Sequence, residues 1–191
     1  MPLFVALWIL SMLGVAFVES KRRRKKHYYL PHYSLWSSSS CQSEMDKQLI
    51  RNKEIVRKQH VEVWSKGNLA IVEEIYSPNF VCHFIVGPEW RGYDGVKKQV
   101  TMHRRSFPDW TEEIEDIIAE GDKVVTRFRS HGTHKGEFQG LAPTGKRVEI
   151  AEVAIYRIEN GKIVEQWGFP DILGLQRQLG PDSSMGQMSK K

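Results

Sequence analysis

The sequence predicts an α+β domain in which helices come first and antiparallel strands follow. Apolar side chains recur at helical spacing between residues 46 and 107, whereas residues 111–169 show the alternation that is typical of strands. An Asn160-Gly161 pair separates the last two strand-like segments and indicates a tight hairpin, because both central residues of a type I′ turn need positive φ. Helices that are segregated from a run of antiparallel strands are typical of the α+β class.

Three helices are predicted before the main run of strands. The first covers residues 46–67, with a glycine placed to end it. Its apolar side carries Leu49, Val56, His60, Val63 and Trp64. A short second helix covers 69–76, and a third covers 93–106 with His103 in its apolar stripe. The strand predicted between them, 80–86, has little polar alternation, so both of its faces are expected to be covered.

Four strands and a last helix complete the predicted domain. The strands cover 111–119, 123–133, 147–158 and 162–169, and the helix covers 172–179. A strongly bent antiparallel sheet wrapped around the N-terminal helices would form a cone that encloses one apolar pocket. The side chains expected to line this pocket are His60, Trp64, His83, His103, Phe128, Trp167 and Phe169.

The ends of the chain are predicted to lie outside this domain, which spans residues 46–180. Residues 3–18 are apolar, and residues 1–20 fit a signal peptide or a signal anchor, so secretion or entry into the ER lumen is expected. Membrane anchoring and a cytoplasmic location stay open, as does an extension without a function, because a basic run follows the segment. Residues 21–45 are predicted to be a basic, Ser-rich disordered linker, and residues 181–191 a disordered tail.

The positive charge of the chain is confined to one short run. The formal net charge is +5, but residues 21–26 alone carry +6 and residues 1–20 carry −1, so the remainder is neutral. A neutral domain lacks the field that attracts a phosphate backbone. We therefore expect no nucleic-acid partner, and membrane contact only through the N-terminal segment if it is uncleaved.

Three segments of the second half carry a family resemblance. They are the glycine-rich run 132–145, the segment Trp167-Gly168-Phe169-Pro170-Asp171 and the closing Leu179-Gly180. From about residue 52 to residue 180 the chain resembles the SnoaL-like polyketide cyclases, also called ester cyclases, of the NTF2-like superfamily. The resemblance implies the cone with one pocket. In members that close polyketide rings, it implies that one aspartate, at the position of Asp171, moves a proton to and from the substrate without any cofactor.

The residues themselves give Asp171 two possible roles. If the last strand is regular, Glu165, Trp167 and Phe169 share one face, and Asp171 continues that phase to the rim of the pocket. A carboxyl group among aromatic rings is desolvated, which favours its neutral form and suits it to acid–base work. The alternative role is structural, because aspartate is a favoured N-cap and a predicted helix begins at residue 172.

His134 is the second candidate catalytic residue, since it could donate a hydrogen bond to a substrate carbonyl. Its alternative role is to anchor the glycine-rich loop. A metal site is not expected, because His131 and His134 lie three residues apart on a strand and face opposite ways.

Two functions from different classes follow from these observations. The first is a cofactor-independent cyclase- or isomerase-like enzyme that acts on a small apolar carbonyl compound. The second is a non-catalytic pocket protein that binds a lipid-like or aromatic ligand. In both cases a homodimer is expected, because the outer face of the sheet would otherwise leave apolar residues uncovered.

Overall fold

The computed structural model describes residues 39–85 and 87–180. The predicted signal segment 1–20, the predicted tail 181–191 and most of the predicted linker 21–45 lie outside the described residues. The end of that linker was predicted wrongly, because a helix already begins at Ser39. Side-chain pairs one turn apart support its first turns, including Gln42 with Asp46 and Lys47 with Glu44.

The helices lie on one side of a sheet. Helix α1 (Ser39–Lys58) continues into a π-helical segment (Gln59–Ser65), and a 3₁₀ turn (Leu69–Ile71) leads into the short α2 (Val72–Ile75). Helices α3 (Gly92–Ser106) and α4 (Ile172–Leu179) follow later in the chain. Among the described residues, we find no helix with both the length and the apolar character needed to cross a bilayer.

The sheet is curved and unclosed, and has six strands. These are β1 (Tyr76–Phe84), β2 (Trp90–Arg91), β3 (Thr111–Glu120), β4 (Lys123–Thr133), β5 (Arg147–Glu159) and β6 (Lys162–Pro170). Their order across the sheet is β2-β1-β6-β5-β4-β3. The α+β class and the cone architecture are therefore confirmed.

The sheet departs from the purely antiparallel arrangement that the sequence predicted, because β1 and β6 run parallel. The antiparallel pairs from β3 to β6 were predicted correctly. Two-residue turns join β3 to β4 and β5 to β6, and such turns require antiparallel neighbours. No short turn links β1 to β6, so the sequence pattern did not fix their relative direction.

A β-bulge in β6 decides which side chains face inward. Arg157 pairs with Glu165 and Ile158 pairs with Ile163, so Val164 is an extra residue without a partner on β5. One inserted residue moves all later side chains to the opposite face. Beyond the bulge, Gln166 and Gly168 are therefore buried on the inner face.

The main core lies between the inner face of the sheet and the helices. Side chains from α1 and α3 pack there with residues of β1, β4 and β5 in one cluster, including Val56, Val100, Phe80, Val124 and Tyr156. A second cluster lies under α4 and includes Phe107, Trp110, Leu175 and Leu179. The space between these two clusters forms the candidate site.

Candidate active site

A chamber of about 300 Å³ opens between the helices and the inner face of the sheet. It is lined mainly by aromatic and aliphatic side chains, with a few polar groups among them. The aromatic lining consists of Trp64, Phe84, Trp90, Trp110, Phe128, Phe138 and Tyr156, together with the rings of His60 and His103. Its volume lies at the lower end of the roughly 300–1,000 Å³ that is usual for small-molecule sites. A cavity of this size, lined mainly by apolar side chains, is therefore present among the described residues.

A buried histidine–glutamate pair lies in the wall of the chamber. His60 Nδ1 is 2.6 Å from Glu112 Oε2, and the two side chains are only 1% and 7% exposed. His60 Nε2 is 3.0 Å from the hydroxyl of Tyr156 and 3.2 Å from Oγ1 of Thr126. Since a carboxylate can only accept, Nδ1 donates to Glu112, and Nε2 lies within hydrogen-bond distance of the two hydroxyl groups. The pair, formed between the π-helical segment and β3, is thus held in position by groups from β4 and β5.

The π-helical segment at the end of α1 brings two consecutive polar residues to the chamber. Gln59 and His60 both line it, and both are buried. A π-helix is wider than an α-helix and occurs frequently at functional sites. The Ser65 hydroxyl donates a 2.8 Å hydrogen bond to the His60 carbonyl, which stabilises the wide turn.

Glu152 is a carboxyl group that faces the chamber from β5. Its strand neighbours in the same phase, Ile150 and Ala154, line the chamber as well. Burial, followed by the negative charge of Glu112, raises the pKa of Glu152 to about 8. A group with such a pKa can release and regain a proton near neutral pH, which is the property required of a general acid–base catalyst.

His103 supplies a second kind of polar group. Burial, together with the charge of Arg104, lowers its pKa to about 4, so its ring is neutral at physiological pH. Rings of Trp64, Phe107 and Trp110 surround it at centroid distances of 4.4 to 6.0 Å. Within residues 39–85 and 87–180, His103 Nε2 has no hydrogen-bond partner although it is buried. A polar ligand atom in the chamber could supply that partner.

Four predicted pocket residues are in place: His60, Trp64, His103 and Phe128 line the chamber. Three others, His83, Trp167 and Phe169, were predicted wrongly, because they lie on the outer face of the sheet. Trp167 and Phe169 follow the bulge at Val164, which reverses the phase of β6. On β1 the buried phase contains Phe80 and Cys82, so the adjacent His83 points outward.

The outward His83 takes part in an ion-pair network. Its two ring nitrogens lie 2.6 Å from Glu89 and 2.8 Å from Glu165, and its ring stacks on Trp167 at a centroid distance of 5.4 Å. Hydrogen bonds to these carboxylates, that of Glu165 foremost, raise the pKa of His83. This network fastens β1 and the segment before β2 to β6, outside the chamber.

Asp171 lies at the junction of β6 and α4, and the expectation of a dry environment for its carboxylate was wrong. The residue is exposed, and its Oδ1 accepts a 2.8 Å hydrogen bond from the backbone nitrogen of Gly174. It is therefore the N-cap of α4. The neighbours Pro170 and Ile172 line the chamber, which puts Asp171 at its rim with the carboxylate turned to solvent.

His134 anchors the glycine-rich loop, which is the alternative role that the sequence left open. Its backbone exchanges hydrogen bonds with Lys146 and Gly145, and its Nδ1 lies 3.1 Å from Oγ1 of Thr144. Its ring is fully buried against Phe107 and does not line the chamber. The premise of the catalytic assignment, a ring within reach of a substrate, is not met in this structure.

Further polar residues that line the chamber were not predicted from the sequence, namely Gln59, Gln99, Glu112, Gln139, Glu152, Tyr156 and Gln166. A signal was present for Glu152, because it occupies the apolar phase of β5 between Ile150 and Ala154. A charged residue in such a phase must be buried or must face a cavity. No comparable signal pointed to Gln166, since the bulge placed it inside.

Comparison with known proteins adds independent information. The family model described as SnoaL-like polyketide cyclase matches residues 54–179. Among individual relatives, aklanonic acid methyl ester cyclase DauD from Streptomyces sp. (strain C5) is 32% identical over 112 residues, which cover 58% of this chain and 67% of that protein. Aklanonic acid methyl ester cyclase DnrD from Streptomyces peucetius is 34% identical over 95 residues, or 49% and 65% of the two chains. The chain thus spans about two thirds of these relatives.

Solved structures agree with the fold. A protein from Jannaschia sp. CCS1 assigned as a SnoaL-like polyketide cyclase superposes with a TM-score of 0.65 and 24% identity, covering 70% of this chain and 94% of that one. At this identity the likeness concerns the fold alone.

Proposed function

Since this chain belongs to the SnoaL-like polyketide cyclase family, we propose that it is an ester-cyclase-type enzyme that closes a ring in a small, mostly apolar carbonyl compound. One observation carries the proposal, namely an apolar chamber of about 300 Å³ whose wall holds ionisable groups. A chamber for ligand binding alone has no need of two partly buried glutamates, because removing a carboxyl group from water is costly.

The proposed reaction is an intramolecular aldol addition. A carboxylate of the protein takes a proton from a carbon next to a carbonyl group, and the electron pair left behind is delocalised onto that carbonyl oxygen. The carbon then bonds to a second carbonyl carbon of the same molecule, whose oxygen becomes an alkoxide and takes the proton back from the carboxyl group. Product and substrate are isomers. The substrate's own carbonyl stabilises the carbanion, so we propose that no cofactor takes part.

The chamber contributes orientation as well as proton transfer. A flexible chain folded into a closed space is held with its reacting atoms close together, which can supply a large part of the acceleration. His60, fixed by Glu112 and Tyr156, and His103, with its unpartnered Nε2, are the polar groups that could hold substrate oxygens.

Two carboxyl groups are candidates for the proton transfer. The family resemblance assigns the role to Asp171, and its position at the rim would allow it to act if the carboxylate left the amide of Gly174 and turned inward. The other candidate, Glu152, already faces the chamber. The class of reaction is the same for both.

The names of the relatives suggest a probe. Purified protein should be incubated with aklanonic acid methyl ester, and the products should be separated by liquid chromatography with mass detection. We expect a new peak of unchanged mass whose yield rises with enzyme concentration. If no such peak forms while the ester binds, as measured by calorimetry, the protein is a pocket protein without this activity. The capping role of Asp171 is the observation that favours this second function.

A further inference from the structure

The phase and register of three strands bring two glutamates to the same wall of the chamber. Glu112 on β3 pairs with Ser130 on β4, and Phe128, two residues before Ser130, pairs with Glu152 on β5. Ser130 and Phe128 share a face because they are two residues apart. Glu112 and Glu152 therefore lie in adjacent rows of the inner face, on either side of β4, and both line the chamber.

The two glutamates differ in their partners. Glu112 is committed to His60, and its other oxygen, Oε1, lies 3.5 Å from Nε1 of Trp110. Among the salt bridges that the described residues form, none involves Glu152. The neutral hydroxyl of Ser130 offers Glu152 a hydrogen bond, but no cationic side chain of the described residues holds its carboxyl group. It can therefore exchange a proton with a molecule in the chamber, whereas the Glu112 carboxylate is held in a fixed pair.

From this arrangement we propose that Glu152, and not Asp171, moves the proton during catalysis. The inference rests on the ring-closing function proposed above. Glu152 takes the proton from the carbon next to the substrate carbonyl and becomes a neutral acid. After the carbon–carbon bond has formed, the same acid donates that proton to the new alkoxide, so the carboxylate is restored and no other reactant is needed.

The environment of Glu152 fits this cycle. Burial and the charge of Glu112 raise its pKa to about 8, so its affinity for the proton exceeds that of an ordinary carboxylate. The form that removes the proton is the carboxylate, whose population grows as the pH approaches 8. The rate at low substrate concentration should therefore rise about tenfold per pH unit below pH 7 and level off above pH 8.

The test compares three variants with the wild-type protein: Glu152→Gln, Asp171→Asn and Glu149→Gln. Glu149 is an exposed glutamate on the outer face of the same strand, paired with Arg129, and serves as the matched control. Each protein is mixed with aklanonic acid methyl ester in D₂O, and both ring closure and uptake of deuterium at the acidic carbon are followed by mass spectrometry. Circular dichroism checks that each variant is folded.

We expect Glu152→Gln to lose at least about 100-fold in both deuterium uptake and ring closure, the usual contribution of a positioned acid–base group, while Glu149→Gln keeps the wild-type rates. A loss in Asp171→Asn with wild-type rates in a folded Glu152→Gln would overturn the inference and leave the proposed function intact. A wild-type protein that neither exchanges deuterium nor closes the ring would overturn the proposed function as well.

A fourth variant, Glu152→Asp, covers the case in which Glu152→Gln does not fold. It keeps a carboxyl group but shortens its reach, so we expect a reduced kcat with a retained, displaced pH profile. An unchanged kcat and profile would contradict the inference, because a proton-transfer group is sensitive to displacements of this size.

Discussion

Replacing Glu152 by Gln should change how the stability of the protein depends on pH. The folded state raises the pKa of Glu152 from 4.5 to about 8. A raised pKa means that the stabilising contribution is fully present below pH 4.5 and is lost as the pH rises towards 8. Gln has nearly the same shape and does not titrate, so the variant escapes this loss.

The size of the effect follows from the pKa change. The full displacement corresponds to about 5 kcal/mol, of which about 4 kcal/mol falls between pH 5 and pH 9. Relaxation of the chamber and entry of water reduce such values, so we expect the free energy of unfolding of Glu152→Gln to gain about 2 kcal/mol on the wild type over this interval.

The measurement is urea unfolding of both proteins at pH 5, 7 and 9, with Glu149→Gln as the control on the same strand. The control should follow the wild type within about 0.5 kcal/mol, as is usual for exposed positions. A difference in unfolding free energy between Glu152→Gln and the wild type that stays constant from pH 5 to pH 9 would contradict a raised pKa of Glu152. It would show that Glu152 titrates normally and that the chamber does not isolate it from water.

Three further predictions concern other residues of the structure. Asp171→Ala removes the N-cap of α4 and should lower the free energy of unfolding, measured in urea, by about 1 kcal/mol. Asp171→Asn can still cap the helix and should lower it by less than half of that. Equal losses would contradict the capping role. His60→Ala leaves the buried Glu112 without its partner and should cost about 3–5 kcal/mol, and a loss below 1 kcal/mol would show that the pair is unimportant for stability. The expected homodimer should use the outer face of the sheet, where Val153 and Phe169 pair across strands and remain 37% and 42% exposed. Analytical ultracentrifugation should show a dimer of the wild-type protein and a monomer of Phe169→Asp. A wild-type monomer would contradict the expectation.

The sequence predicted those parts of the fold that local chemistry determines. The hairpin at Asn160-Gly161 is present, and its two residues have the positive φ values, 50° and 72°, that the pair favours. Helix α4 spans Ile172–Leu179, as predicted. Each of these features depends on neighbouring residues alone, so a pattern in the sequence suffices to find it.

The site depended on features that no local pattern reveals. Nothing in Ile163-Val164-Glu165 indicates that one of these residues is left without a partner, yet this bulge decides that Gln166 faces the chamber and Trp167 does not. No pattern in the sequence indicates the π-helical segment that presents Gln59 together with His60. Because side-chain phase controls access to the chamber, one extra residue was enough to misplace two of the predicted pocket residues.

The choice between Asp171 and Glu152 as the proton-transfer group also depended on features that the sequence does not reveal. Regular extension of β6 would have carried Asp171 towards the pocket rim with its side chain inward, but the bulge and the start of α4 turned its carboxylate to the backbone of Gly174. Glu152 could have been found from its place in the apolar phase of β5. That Glu152 and Glu112 lie on either side of β4 in adjacent rows could be known only from the register of the strands.

The role of Glu152 in the chamber can be tested with a crystal structure of the protein bound to an unreactive analogue of aklanonic acid methyl ester. We expect the analogue to occupy the chamber, with its acidic carbon within roughly 3–3.5 Å of a Glu152 carboxyl oxygen, the separation of a reactive contact. An analogue bound outside the chamber, or one whose acidic carbon lies against Asp171 instead, would contradict this role of Glu152.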